Sequence, residues 1–147
     1  MTDNRLAPWG ATLLRVSLGL MFLAHSVILK LGVFTLAGTA GYFESLGLPA
    51  FTAYLVFAAE AVGGLLLVLG VQVRWVSLAL IPVLAGALWV HSGNGWVFSA
   101  EGGGWEYPLF LIVLAVVQAM IGDGALALSR SIDPRRLFGT TAPAAAR

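Results

Sequence analysis

The chain of 147 residues contains no cysteine. It therefore carries out no thiol or disulfide chemistry of its own, and cysteine usage says nothing about its redox compartment. Charge is also scarce. Only 10% of residues are Asp, Glu, Lys or Arg, where a soluble domain carries about a quarter. The net charge of +1 offers no argument for a nucleic-acid partner. Glycine is plentiful, but no G-x-G-x-x-G, P-loop or zinc pattern is present. The two histidines, His25 and His91, do not form an H-x-x-H or H-x-x-x-H pair, so no metal site is expected.

What remains is apolar. Hydrophobic residues make up 59% of the chain and the mean hydropathy is +0.92. This is the composition of an integral membrane protein whose first partner is lipid, in one domain. Five tryptophans suit the aromatic belts found where helices leave a bilayer.

The expected fold is all-α, an integral membrane bundle of four transmembrane helices over about 10–31, 51–69, 74–91 and 106–128. A membrane domain then covers 10–128. Residues 1–9 form a short polar tail, and 129–147 a basic, disordered one. The first apolar run is read as a retained span, because it holds Arg15 and His25 and lacks a clean small-x-small cleavage site. Between spans one and two, G-T-A-G-Y-F-E-S-L-G-L-P reads as a short amphipathic helix in the interface. It turns Tyr42, Phe43 and Leu46 inward and Glu44 outward.

Four spans place both termini on one side. Arg5, Arg74, Arg130, Arg135, Arg136 and Arg147 gather there, whereas the other side has only Lys30 at a helix end. The positive-inside rule makes the richer side cytoplasmic, which predicts a multi-pass protein of the inner (cytoplasmic) membrane.

Glu60 is the focus of the chain. It lies mid-way along the run F-T-A-Y-L-V-F-A-A-E-A-V-G-G-L-L-L-V-L, where a carboxylate is costly unless the bundle neutralises it. Gly63 and Gly64 share its helix face, so that face is expected to be packed rather than turned to lipid. Depths reckoned at ~1.5 Å per residue put Glu60 between Arg15 and His25, within reach of either. At one end His25, Lys30, His91 and Glu106 approach a common level. At the other, Arg74 and Asp123 do. Each residue also has a plainer role: Arg74 with Asp123 as a structural ion pair, Lys30 as a snorkelling anchor, Glu60 bridged to Arg15 for packing, His25 as a hydrogen-bonded core residue.

Several separated segments carry a resemblance. They are L-L-R-V-S-L-G-L-M-F-L-A-H-S-V-I-L-K-L, G-Y-F-E-S-L-G-L-P, A-A-E-A-V-G-G-L-L-L-V-L-G-V-Q-V-R-W, G-G-G-W-E-Y-P-L and G-D-G-A-L-A-L-S. In this order, over roughly Leu13 to Ser129, they resemble the DoxX family of small bacterial membrane proteins. Ser26 departs from the glycine that commonly follows the histidine there. The resemblance implies a four-helix transmembrane bundle, with motif residues at Arg15, His25, Lys30, Glu60, Arg74, His91, Glu106 and Asp123. Family members are described as oxidoreductase subunits. The family is related to a thiosulfate:quinone oxidoreductase subunit, and some members associate with superoxide dismutase and a sulfurtransferase.

Three functions follow as expectations. The first is a quinone-associated oxidoreductase subunit in redox or sulfur-stress metabolism. In it Glu60, His25, His91 and Glu106 handle protons, and Arg15, Lys30, Trp89 and Trp105 bind the ligand. The second is a small proton-coupled transporter or permeation protein, which four spans per chain would favour as a homo-oligomer. The third is a non-catalytic membrane anchor for soluble redox enzymes of the superoxide dismutase or sulfurtransferase type.

Overall fold

The computed structural model describes residues 4–132. Most of the expected basic tail, including Arg135, Arg136 and Arg147, lies outside the described residues.

Helix α1 spans Ala7–Leu23, with Pro8 in its first turn, where a missing N–H costs nothing. It continues without a break as a π-helix over Ala24–Val33. Helix α2 covers Leu36–Ser45, and the Thr35 hydroxyl caps it by accepting from the Gly38 N–H at 3.1 Å. Helix α3 is Phe51–Leu69, α4 is Val73–His91 with Pro82 half-way along it, and α5 is Glu106–Ile121. Helix is the form expected of long apolar runs, because it satisfies every backbone group within one segment.

Three of these helices are long and apolar enough to cross a membrane: Ala7–Val33, Phe51–Leu69 and Val73–His91. Helix α5 is equally apolar but has only 16 residues. At ~1.5 Å per residue it is about 24 Å long, short of a hydrocarbon core of ~30 Å.

Two helix boundaries differ from expectation. The first helix starts at Ala7, not near Gly10, and runs on to Val33. The last stops at Ile121 rather than near Leu128. Hydropathy alone carries the last run onward through A-L-A-L, but Gly122 ends it with φ +91°. A Cβ there would stand 2.7 Å from the Arg74 guanidinium, so the turn needs both the backbone freedom and the small size of glycine. The chain then lies along the ends of its neighbours. Ala125 N–H donates to the Pro8 carbonyl at 3.0 Å, Leu128 N–H to Leu69 at 3.2 Å and Ser129 N–H to Gly70 at 3.1 Å.

Helix α1 packs on α3 and α5, α4 packs on α3 and α5, and α2 rests on α3 and the π segment. The α1–α3 contact is backbone to backbone. A Cβ on Gly19 would be 2.7 Å from the Gly64 carbonyl oxygen, and one on Gly64 would be 2.9 Å from that of Gly19. Where lipid tails are as apolar as side chains, such close approach replaces the hydrophobic effect as the source of helix association. The buried seam is Leu18, Phe22, Leu67, Val73, Leu80, Leu84, Leu111 and Ala115. Large apolar residues such as Leu13, Val62, Leu65 and Phe110 remain on the outside.

Candidate functional site

The helices have two polar ends, which differ in how their charges are satisfied. At one of them Arg15, half-way along α1, is only 2% exposed. One guanidinium nitrogen donates to the Leu67 and Val68 carbonyls at 2.8 and 2.7 Å. Another donates to Ala125 and Leu126 at 3.0 and 3.1 Å. Arg15 thus takes up the free carbonyls at the C-terminus of α3, where a cation also meets the negative end of the helix dipole. Arg74, in the first turn of α4, does the same for α5, donating to Ala119 and Met120 at 2.7 and 2.9 Å.

This corrects two expectations. Arg15 does not bridge to Glu60, and Arg74 forms no direct ion pair with Asp123. The Asp123 carboxylate instead accepts from the N–H and hydroxyl of Ser131, whose hydroxyl oxygen accepts from the Arg74 backbone N–H at 3.0 Å. Arg74 and Asp123 share one cluster, but they are joined through a serine. Both arginines meet carbonyls at the C-terminus of a helix, where the last turn leaves acceptor capacity that is costly to bury unused.

The other end is open. A cavity of about 850 Å³ lies among the π segment, α2, α3, α4 and α5. Its walls are mainly apolar, with Phe22, Val56, Val83 and Leu111 among them. Lys30 and Glu60 meet in it, Nζ to Oε2, at 2.7 Å, with side chains only 16% and 9% exposed. Among the described residues this is the ion pair of the structure. The partner of Glu60 is therefore Lys30, and the winding of the chain explains why. In a π-helix bonds run from i to i+5, as in Phe34 N–H to the Leu29 carbonyl at 2.8 Å. Residues five apart then stack, so His25 and Lys30 come onto one face and both line the cavity.

His25 is held by Nδ1 on the Met21 carbonyl at 2.9 Å. A carbonyl can only accept, so Nδ1 carries the proton and Nε2 is left as the exchangeable position. The ring lies nearly parallel to that of Tyr107, with centroids 6.4 Å apart. His91 also lines the cavity and is held in the same way, by Nδ1 on the Gly102 carbonyl at 3.0 Å. Trp89 stands at the rim, 58% exposed.

Glu106 and Trp105 do not line the cavity. The Glu106 carboxylate accepts from the Phe98 N–H at 2.9 Å, and the Trp105 ring packs edge-on against Trp96 at 4.4 Å. Both shape the Ser92–Trp105 loop. Of the expected site residues, the structure thus brings together Glu60, Lys30, His25, His91 and Trp89. It leaves Glu106 and Trp105 in the loop, and Arg15, Arg74 and Asp123 at the far end.

Tyr107 also lines the cavity and is not singled out by the sequence, and Tyr42 and Phe43, which the sequence turns inward from the short helix, line it too. For Tyr107 the available signal was its place directly after Glu106 at the start of an apolar helix. Among the described residues no group of three His, Asp or Glu side chains forms a metal-ligand set.

Comparison with known proteins matches residues 10–93, more than half of the chain, to the DoxX family. A curated relative, named "Putative oxidoreductase CatD" from Bacillus subtilis (strain 168), is 32% identical over 119 residues, covering 81% of this chain and 84% of that protein. No solved structure matches. On the extent of the family match and the identity of this relative, the chain is a membrane protein that belongs to the DoxX family.

Proposed function

We propose that this chain is a quinone-associated oxidoreductase subunit of the inner membrane, with four spans and both termini in the cytoplasm. The observation that carries the reading is the Lys30–Glu60 pair, 2.7 Å apart, in a mainly apolar cavity large enough for a small ring compound. Reduction of a quinone to its hydroquinone takes two electrons and two protons. Lys30 and His25 are placed to hydrogen-bond the two carbonyl oxygens, and Glu60 and His25 to exchange the protons. The electrons come from a partner redox protein or a bound organic cofactor. Soluble partners of the superoxide dismutase or sulfurtransferase type, and a homo-oligomeric assembly, fit this role. The relative described as an oxidoreductase supports the reaction class.

A through-membrane transport path is less well supported. The cavity ends at Phe22, Leu84 and Leu111, which are buried and continue into the packed seam of Leu18, Leu67, Leu80 and Ala115. The four-span count is supported by the apolar character of α5 and by its packing along α4. The short interhelical piece α2, with Glu44 exposed and Phe43 half-buried, fits a helix lying in the interface.

The test is binding of a short-chain ubiquinone or menaquinone analogue to the purified chain in nanodiscs, read by quenching of its tryptophan fluorescence. Saturable binding that is lost in Lys30→Met and Glu60→Gln is expected. Absence of saturable binding, or binding indifferent to both substitutions, refutes the proposal.

A further inference from the structure

The cavity has a definite entrance. A residue that both lines the cavity and is exposed to the outside marks its rim. On α4 these are Pro82, Gly86 and Trp89. They are four and three residues apart and so form one stripe on the helix. Phe34 and Tyr42, 59% and 51% exposed, line the same cavity from the π segment's end and α2.

The level of this rim is informative. Pro82 lies half-way along the 19-residue helix α4, so the rim begins at mid-membrane depth and climbs from there towards Trp89. An outward surface at that depth meets acyl chains, not water. Gly86 sits in the middle of the stripe, and a Cβ built on it meets nothing within 4 Å. The gap there is open space rather than a packing contact. Away from this rim the cavity is walled by Phe22, Leu84 and Leu111, all under 9% exposed.

From this we infer that the site is filled sideways from the lipid, through an opening at Gly86. Its ligand is a ring compound with a long apolar tail: the ring reaches Lys30 and Glu60, and the tail leaves across Gly86 into the bilayer. This rests on the proposed quinone reading for the head group, but the entrance is defined by the rim residues alone. Gly86 then sets specificity. A larger side chain there narrows the passage occupied by the tail without touching the polar floor.

Two measurements test this. The first compares Gly86→Leu with the unchanged chain in nanodiscs, using a benzoquinone bearing a prenyl tail and a tail-free benzoquinone. The variant should bind the tailed compound about tenfold more weakly, and the tail-free one within about twofold of the unchanged chain. Equal weakening of both, or of neither, overturns the entrance while leaving the head-group site standing. Failure of the unchanged chain to bind either compound refutes the quinone reading.

The second measurement needs no ligand. The chain lacks cysteine, so Gly86→Cys takes a single nitroxide label, and Ser92→Cys in the adjoining loop provides a water-facing reference. At position 86 the label should collide with lipid-dissolved oxygen far more than with an aqueous nickel chelate, and the reverse should hold at position 92. Nickel access at position 86 shows an aqueous mouth, and access by neither agent shows a covered one. Either result overturns the inference.

Discussion

The two ends of the helices hold buried charges for different purposes. At the arginine end, Arg15 is enclosed by four backbone carbonyls and Arg74 by two. At the cavity end, Lys30 makes one hydrogen bond among the described residues, to Glu60, although an ammonium has three donors. A buried ion is therefore not in itself the mark of a site. What separates the two ends is capacity. The arginines spend theirs on ending helices, while the Lys30–Glu60 pair keeps most of its own and turns it into an apolar void.

The largest effect should come from breaking the arginine end. Arg15→Leu takes a charged donor from four carbonyls; Leu67 keeps the Gly70 N–H and Ala125 the Thr12 hydroxyl, whereas Val68 and Leu126 lose the donor shown for them. Hydrogen bonds of that kind contribute about 1.5–3 kcal/mol each. Even after relaxation, the loss should exceed about 3 kcal/mol, read as unfolding in a denaturing detergent titration. Arg15→Lys should recover only part of it, because an ammonium cannot reproduce the planar fork that serves the end of α3 and the segment after α5 at once. The molecules that remain folded should bind ligand with unchanged affinity. A change in affinity at constant folded fraction would erase the distinction between the two ends.

The cavity end should respond in the opposite pattern. Removing one member of a buried ion pair leaves the other uncompensated, at a cost of about 3 kcal/mol. Lys30→Met and Glu60→Gln should each approach this, since both side chains are largely covered. The double variant should return to within about 1 kcal/mol of the unchanged chain, because no lone charge remains. Ligand binding should be lost in all three. A double variant that regains stability and also binds normally would make the pair a packing device, no different in kind from Arg15.

How much of this was legible in the sequence follows from the same contrast. Glu60 could be located because an acid inside an apolar run stands out, and its packed face was marked by Gly63 and Gly64. Its partner could not. Depth and rotation were reckoned on α-helical winding, and the π segment from Ala24 to Val33 changes which residues stack. The acceptors of Arg15 and Arg74 are backbone carbonyls, which have no signature in side-chain identity, so side-chain charge alone points Arg74 to the acid Asp123 instead. Asp123 does reach that cluster, but through Ser131. The end of α5 was hidden because A-L-A-L keeps its hydropathy after the helix has stopped. The true signal was G-D-G just before it. Glu106 is expected at the level of His25, Lys30 and His91, but level along the axis does not say whether a side chain turns to the cavity or to the loop, and both Glu106 and Trp105 turn to the loop.

The smallest effect expected is also the most discriminating. Tyr107 is half-exposed at the cavity and its ring lies beside that of His25. Tyr107→Phe keeps the ring and removes only the hydroxyl, so stability should stay within about 0.5 kcal/mol. If the phenol helps hold a ligand carbonyl, affinity should fall about fivefold, the worth of one neutral hydrogen bond. Tyr107→Leu also removes the surface beside His25 and should weaken binding further. The pair of variants thus separates the hydroxyl from the ring. No loss in Tyr107→Phe together with a loss in Tyr107→Leu would assign Tyr107 to ring support alone, leaving Lys30 and His25 as the groups that recognise the head group. A hydroxyl whose loss weakens binding and leaves stability unchanged has no counterpart at the arginine end, where the guanidinium donors tie one chain segment to another.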